Sequence, residues 1–339
     1  MKTFKGICKS LLVFFSLLAG CGPTMLQIPI RKPAKVDVQG IRKIAIVDFR
    51  GADGSGQLAA SLLTTDLLSD GFYQVFERTK VDQIMQEHKL AMAGIVDESS
   101  AKQIGLLLGV DGLIFGQVVT YKFEPDERGV EKVQKKVGTG KYRIVTRGKK
   151  KVREEIKKTV LVDQSYIIRR GAVSVTARMV NVESGQLVAS KAISKSYDSG
   201  KIVEGRKKLK AKSAILNDML AEIMQEFAQI ISPHIVLEKI AFENGKGPIK
   251  VGVQYAKNNL WKEAIKEFYK AVKQQPDNPS AHYNFGLASM VVGKFDVADK
   301  EFKKAIALKN KNLYFDALSR VKKFRDEQIR LQKQVGGMN

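Results

Sequence analysis

"AKQIGLLLGVDGLIFGQV", residues 101–118, changes period in mid-stretch. A leucine-rich helix, opened by Glu98 to Ser100, ends at Leu108 and Gly109. "VDGLIFGQVVTY" then reads as a strand that starts buried and turns alternating. Upstream, "RKIAIVDF" (42–49) is a continuous apolar strand of the kind covered on both faces. It is followed by a helix whose Leu58, Leu62, Leu63, Leu67 and Leu68 fall at helical spacing, with Gly71 as its stop. In "FERTKVDQIMQEHKLAMAG" (76–94), Thr79 can cap a helix from Lys80 to His88. Downstream, "GAVSVTARMVNVESGQLVAS" (171–190) reads strand, turn at Glu183 to Gly185, strand. A long helix follows, with Ile215, Leu216, Met219, Leu220, Ile223, Phe227, Ile230 and Ile231 on one face, and Pro233 ends it. Strands mixed with helices over residues 41–233 specify an α/β domain with a mixed sheet and flanking helices.

The order of these elements is similar to the curli production assembly/transport (CsgG-type) family. The resemblance rests on the Glu77-Arg78 pair, the helix after it, Gly94, and the leucine-rich helix leading into Asp111 and Gly116, and it resumes at 171–190. It implies an outer-membrane lipoprotein with a periplasmic α/β domain. In the curli protein itself, subunits form a ring and contribute β-hairpins to a secretion pore. Related domains also occur in lipoproteins that activate cell-wall synthesis enzymes, so the fold does not fix the task.

The chain departs from that family between Lys122 and Arg170, an insertion dense in Lys and Arg. "GTG" (138–140) can turn a hairpin, with Tyr142, Ile144 and Thr146 on one face. The segment reads either as a polar hairpin or mobile loop on the domain, or as a membrane hairpin. The basic string around Lys149, Lys150, Lys151 and Arg153 could meet an anionic surface or be a solvated loop. A second hairpin would have to fit in "DSGKIVEGRKK" (198–208), which is too short for two spanning strands. The expectation is therefore a protein beneath the membrane that forms no curli-type channel itself.

The first twenty residues hold Lys2, Lys5 and Lys9, a short apolar run and small residues, as in a secretory signal peptide. "LLAGC" (17–21) resembles the lipobox of bacterial lipoproteins, which implies cleavage before Cys21 and acylation of it. Cys8 leaves with the signal, so Cys21 has no disulfide partner. Residues 21–40, with Pro23, Pro29 and Pro33, are incompatible with a helix and read as a tether.

Beyond Pro233 lies an internal repeat. Gly252, Tyr255, Ala264, Phe268, Ala271 and Pro276 hold the spacing of a tetratricopeptide repeat, and Gly286, Ala298, Phe302 and Ala305 follow at the same offsets. Two repeats and a capping helix over 245–335 make an all-α domain that could bind a protein partner, stabilise a ring, or act within the molecule. The second repeat departs at Ser289 and Asn310.

A formal charge of +23 first suggests nucleic acid, but an exported, tethered chain rarely meets it, so lipopolysaccharide, anionic lipid or an acidic protein is the better match. "GADGSG" (51–56) sits where phosphates are often bound. It lacks the Gly-Lys-Ser/Thr ending of a P-loop, and Asp53 would repel an anion, so it reads as a turn into a helix. His88, His234 and His282 are scattered, and the serines lack a nucleophile setting. The expectation is a non-enzymatic component of the outer membrane's periplasmic face, without cofactor or metal. It would act in export or surface-structure assembly; a ring-forming channel subunit and a regulator of cell-wall enzymes are the alternatives.

Overall fold

The computed structural model describes residues 22–47, 49–76, 98–203 and 209–336. Cys21 and the expected 80–88 helix lie outside them. The chain divides into two units: residues 33–234 with the segment from Leu331, and residues up to Lys32 with Ile235–Arg330.

The first unit is built on a five-stranded sheet of β2 (Lys43–Ile46), β3 (Gln74–Val75), β4 (Gly112–Phe123), β7 (Arg170–Asn181) and β8 (Leu187–Asp198), in the order β3-β2-β4-β7-β8. β2 is parallel to β3 and β4, whereas β4, β7 and β8 are antiparallel, so the sheet is mixed. Helices α1 (Ser55–Asp70) and α3 (Lys212–Ile231) join one core with Ile44, Ile46, Ile114 and Val175. Helix α2 (Glu98–Leu108) joins a second core with Ala45, Leu113, Phe115 and Val180. Adjacent residues of β2 and β4 thus feed different cores, which is why these strands read as unbroken apolar runs. Asp111, the acid of the Gly109–Gly116 motif, accepts the backbone N–H groups of Arg42 and Lys43 at 2.9 and 2.8 Å and so fixes where β2 begins.

The insertion is an ordered ribbon. β5 (Glu127–Arg147) and β6 (Lys150–Ile168) pair antiparallel along their length, and β9 (Ile202–Val203) adds a short third strand beside Tyr166 and Ile167. At about 3.3 Å per residue it is on the order of 60 Å long. Its turn is Gly148-Lys149, with Gly148 at φ 63°, and not "GTG" as the sequence suggested. Gly in the first position suits the two-residue turns that match strand twist, whereas Gly138 to Gly140 fall in a register shift within β5. The base is pinned by Arg169 on Asp126 (3.2 Å) and by Arg170 on both Glu127 (2.7 Å) and Asp198 (3.0 Å).

The second unit is a run of helices. α4 (Pro248–Lys257) pairs with α5 (Trp261–Gln274), α6 (Pro279–Val291) with α7 (Phe295–Leu308), and α8 (Asn312–Val335) follows. Gly252 and Gly286 allow the close crossings, since a Cβ would come within 2.5 Å of the Phe268 ring and 2.6 Å of the Phe302 ring. Both rings are fully buried, as are Ala264, Ala271, Ala298 and Ala305, while Tyr255 packs partly buried against the core.

The stretch read as a tether contains strand β1 (Thr24–Lys32), paired with β10 (His234–Phe242). Pro23, Pro29 and Pro33 exclude a helix but not an edge strand, where a missing N–H is tolerated. The alternation of Leu26, Ile28 and Ile30 with exposed Met25, Gln27 and Pro29 gives the pair one apolar face. Leu26, Ile28, Ile240 and Phe242 are buried in one cluster with Val253, Tyr283, Leu287, Met290, Ala317, Val321 and Phe324. These helical residues belong to α4, α6 and α8, the first helix of each pair and the capping helix. Replacing Ile28 by Ala should therefore cost about 2–5 kcal/mol, the usual range for a buried aliphatic. Urea unfolding followed at the repeat helices checks this; an unchanged midpoint would show that residues 24–32 are free chain.

Candidate functional site

Two features gather chemistry among the described residues: the inner face of the repeats and the basic ribbon. In solenoids of helix pairs, curvature creates a concave face suited to extended ligands. Here that face already holds β1 and β10, the chain's own strands.

The end of β10 is fastened by one carboxylate. Glu243 is buried, and its Oε2 accepts hydrogen bonds from the Ser280 hydroxyl (2.6 Å) and the Tyr314 hydroxyl (2.5 Å), while Lys311 pairs with Oε1. Its backbone is read as well: the Glu243 N–H donates to Asn284 Oδ1 (2.9 Å), and Asn284 Nδ2 donates to the Glu243 carbonyl (2.8 Å). Next to it, the Tyr283 hydroxyl donates to the Ala241 carbonyl at 2.8 Å. Burial alone would raise the Glu243 carboxyl, but Lys311, Ser280 and Tyr314 bond the ionised form and hold it below the usual carboxylate range. The same environment pushes the Tyr283 and Tyr314 hydroxyls up, first by burial and then by the neighbouring Glu243 charge. A second buried pair closes the second repeat: His282 Nδ1 lies 2.5 Å from Glu301, and Nε2 lies 2.8 Å from the Pro276 carbonyl. Phe242 extends the hub into the first repeat, stacked 5.9 Å from Phe268. None of Glu243, Ser280, Asn284, Lys311 or Tyr314 was marked by the repeat pattern, because their contacts span 37 to 71 residues of sequence.

The ribbon carries thirteen Lys and Arg against five Asp and Glu between residues 127 and 168. Lys149 sits in the turn, Lys150 and Lys151 pair opposite Arg147 and Thr146, and Arg153 stacks its guanidinium 4.0 Å from the Tyr142 ring. All four basic residues named from sequence are exposed at this tip. One face holds Val133, Val137, Val145, Val152, Ile156, Val160 and Val162, but Lys135, Arg143, Glu154 and Lys158 interrupt it. Gly51 to Gly56 form a tight entry to α1: Asp53 takes a left-handed conformation, and a Cβ at Gly56 would overlap the Phe49 carbonyl at 1.7 Å. The glycines there serve backbone packing. Among the described residues no cluster of His, Cys, Asp and Glu could hold a metal ion, and no helix is long and apolar enough to cross a membrane, which says nothing of strands.

A mixed sheet flanked by helices with a long two-stranded insertion, and a separate unit of paired helices, define a two-unit protein of an α/β domain followed by helical repeats. The chain belongs to the curli production assembly/transport component CsgG family, whose model matches residues 39–223, and a TPR repeat model matches residues 252–290. No curated protein matches the chain. Among solved structures it is similar to a PelC dodecamer from Paraburkholderia phytofirmans (13% identity, 62% of this chain and 98% of that one, TM-score 0.31). It is also similar to lipoprotein GNA1162 from Neisseria meningitidis (14%, 55% and 98%, TM-score 0.30). A third is the LpoB C-terminal domain from Salmonella enterica (11%, 48% and 87%, TM-score 0.26). Likenesses this distant carry no functional weight.

The Glu243 hub gives a pH dependence of definite sign. Its carboxyl is depressed in the folded state, so its stabilisation is present above the unfolded value near 4.5 and is lost as pH falls through the lower folded value. Acid titration of repeat helicity should show this loss below about pH 4.5. Glu243→Gln should be less stable at neutral pH and lack that acid limb; an identical acid profile would remove Glu243 from the account.

Proposed function

We propose that this CsgG-family chain is a non-enzymatic, lipid-anchored scaffold on the periplasmic face of the outer membrane, serving export or surface-structure assembly. The observation that carries the reading is the union, in one chain, of an assembly/transport domain over residues 39–223 with a repeat domain of a protein-binding class. The anchor would be acylated Cys21, supported by "LLAGC" after a short apolar run. The inner groove of the repeats is filled by β1 and β10, so a protein partner would meet the outer helices α5 and α7 or the basic ribbon tip. A homo-oligomeric ring through the α/β unit is compatible with this role.

The ribbon weighs on the channel alternative. A barrel strand needs roughly 9–11 residues with an apolar lipid face, and β5 and β6 are long enough. Lys135, Arg143 and Lys158 would lie on that face, and each costs about 2–4 kcal/mol at the bilayer midplane. The described part of 198–208 offers only β9, two residues long, as further strand. The ribbon fits better as a charged arm than as part of a barrel wall.

Two experiments test the reading. Cys21→Ala should leave the precursor uncut or release the protein from membranes, and normal processing with membrane retention would sink the anchor. Purified protein in planar bilayers should give no stable unitary conductance. Reproducible openings abolished by replacing residues 132–163 with a short turn would establish the channel instead.

A further inference from the structure

The first described residue of the chain is held on the repeat unit. The Gly22 carbonyl accepts a hydrogen bond from Asn244 Nδ2 at 2.6 Å, the Thr24 hydroxyl bonds Asn244 Oδ1 at 2.6 Å, and β1 begins at Thr24. Asn244 follows the buried Glu243, so the N-terminal end is fastened to the hub that Ser280, Lys311 and Tyr314 build. Pro23 lines the same recess as Glu243, Asn244, Ser280, Lys311 and Asn312. This recess lies at one end of the repeat unit, where α4, α6 and α8 begin at Pro248, Pro279 and Asn312. The segments leading into those helices carry exposed Lys246 and Lys309, with Lys311 bonded to Glu243 and Asp277 as the acidic neighbour.

Cys21 is one peptide bond from Gly22, about 3.8 Å between Cα atoms. An acyl group on Cys21 sits in the bilayer at headgroup depth or below. No slack remains between the anchor and a folded surface, so the surface around Gly22 must meet the headgroups. We infer that the repeat unit itself lies on the membrane, with its edge of Asn244, Lys246, Lys309 and Asn310 against the lipid headgroups. The partner is a lipid surface, and the exposed lysines favour an anionic one. The inference rests on acylation of Cys21. It turns the repeats from a module reaching into the periplasm on a leash into a membrane-apposed base.

The opposite ends of the same helices supply the control, because α4 and α6 separate the two ends by roughly 15–20 Å at 1.5 Å per residue. In the processed lipoprotein Cys8 is gone and the Cys21 sulfur is a thioether, so an introduced cysteine is the one free thiol. A fluorophore is placed on Lys246→Cys and Lys309→Cys at the proposed edge, and on Lys257→Cys and Lys294→Cys at the far ends. The lipoproteins are reconstituted into phosphatidylethanolamine–phosphatidylglycerol vesicles containing headgroup spin-labelled lipid. Quenching should be several-fold stronger at 246 and 309 than at 257 and 294. Equal quenching at all four positions, or stronger quenching at the far ends, overturns the inference. The mass of the mature N-terminal peptide separates the two failures: an unacylated Cys21 refutes the anchor, whereas an acylated Cys21 with uniform quenching refutes only the placement of the repeats.

Discussion

The pairing of Thr24–Lys32 with His234–Phe242 is the constraint on which the rest of the arrangement depends. These strands are separated by the whole α/β unit, which is therefore spliced between two neighbouring strands of the repeat unit. Their shared apolar face buries Leu26, Ile28, Ile240 and Phe242 against the first helices of the repeats. Each such side chain contributes about 1.5–3 kcal/mol on burial. Two repeats and a cap make a short solenoid, and the β1–β10 pair supplies core that a longer array would gain from further repeats. Polar fastening adds specificity: the inner face pairs Asn284 with the backbone of Glu243 and places Ser280, Tyr314 and Lys311 on its carboxylate, so a shift in strand position would strand a buried charge.

Filling the groove from within changes what the repeats offer. The inner face of the repeats is occupied by the β1–β10 pair and by the contacts to the Glu243 backbone and carboxylate, whereas the basic tip of the β5–β6 ribbon is exposed. Exposed Tyr269 lies 5.7 Å from the buried Phe285 ring. The ribbon adds a long positively charged arm whose base is locked by Arg169 and Arg170. Exposed charges of this kind produce a positive field that is screened by salt.

The α/β core was legible because its signals are local. Ile44 to Ile46 and Leu113 to Phe115 are apolar without interruption, and Gly71 ends α1 where the spacing of leucines predicts. The repeats were legible for the same reason, through small residues and phenylalanines thirty-four positions apart that meet as Gly252 on Phe268 and Gly286 on Phe302. What escaped was non-local. The prolines near the N-terminus excluded a helix and so suggested a tether, while the alternation of Leu26, Ile28 and Ile30 gained meaning only beside Ile240 and Phe242. In the ribbon, the two glycines of "GTG" are the stronger local turn signal, but strand register places them in an irregularity within β5, and Gly148 closes the two-residue connection with its positive φ. The Glu243 hub has no motif at all, since its partners come from two segments distant in sequence, Ser280 to Asn284 and Lys311 to Tyr314.

Native-state hydrogen exchange on the purified protein tests the central claim most directly. If β1 and β10 complete the repeat core, amides of residues 24–32 that bond to β10 should open with the same free energy as α6 and α8, and all should be lost together in denaturant. Exchange of residues 24–32 at the rate of free chain, with α6 and α8 still protected, would contradict the account and return that segment to a simple tether.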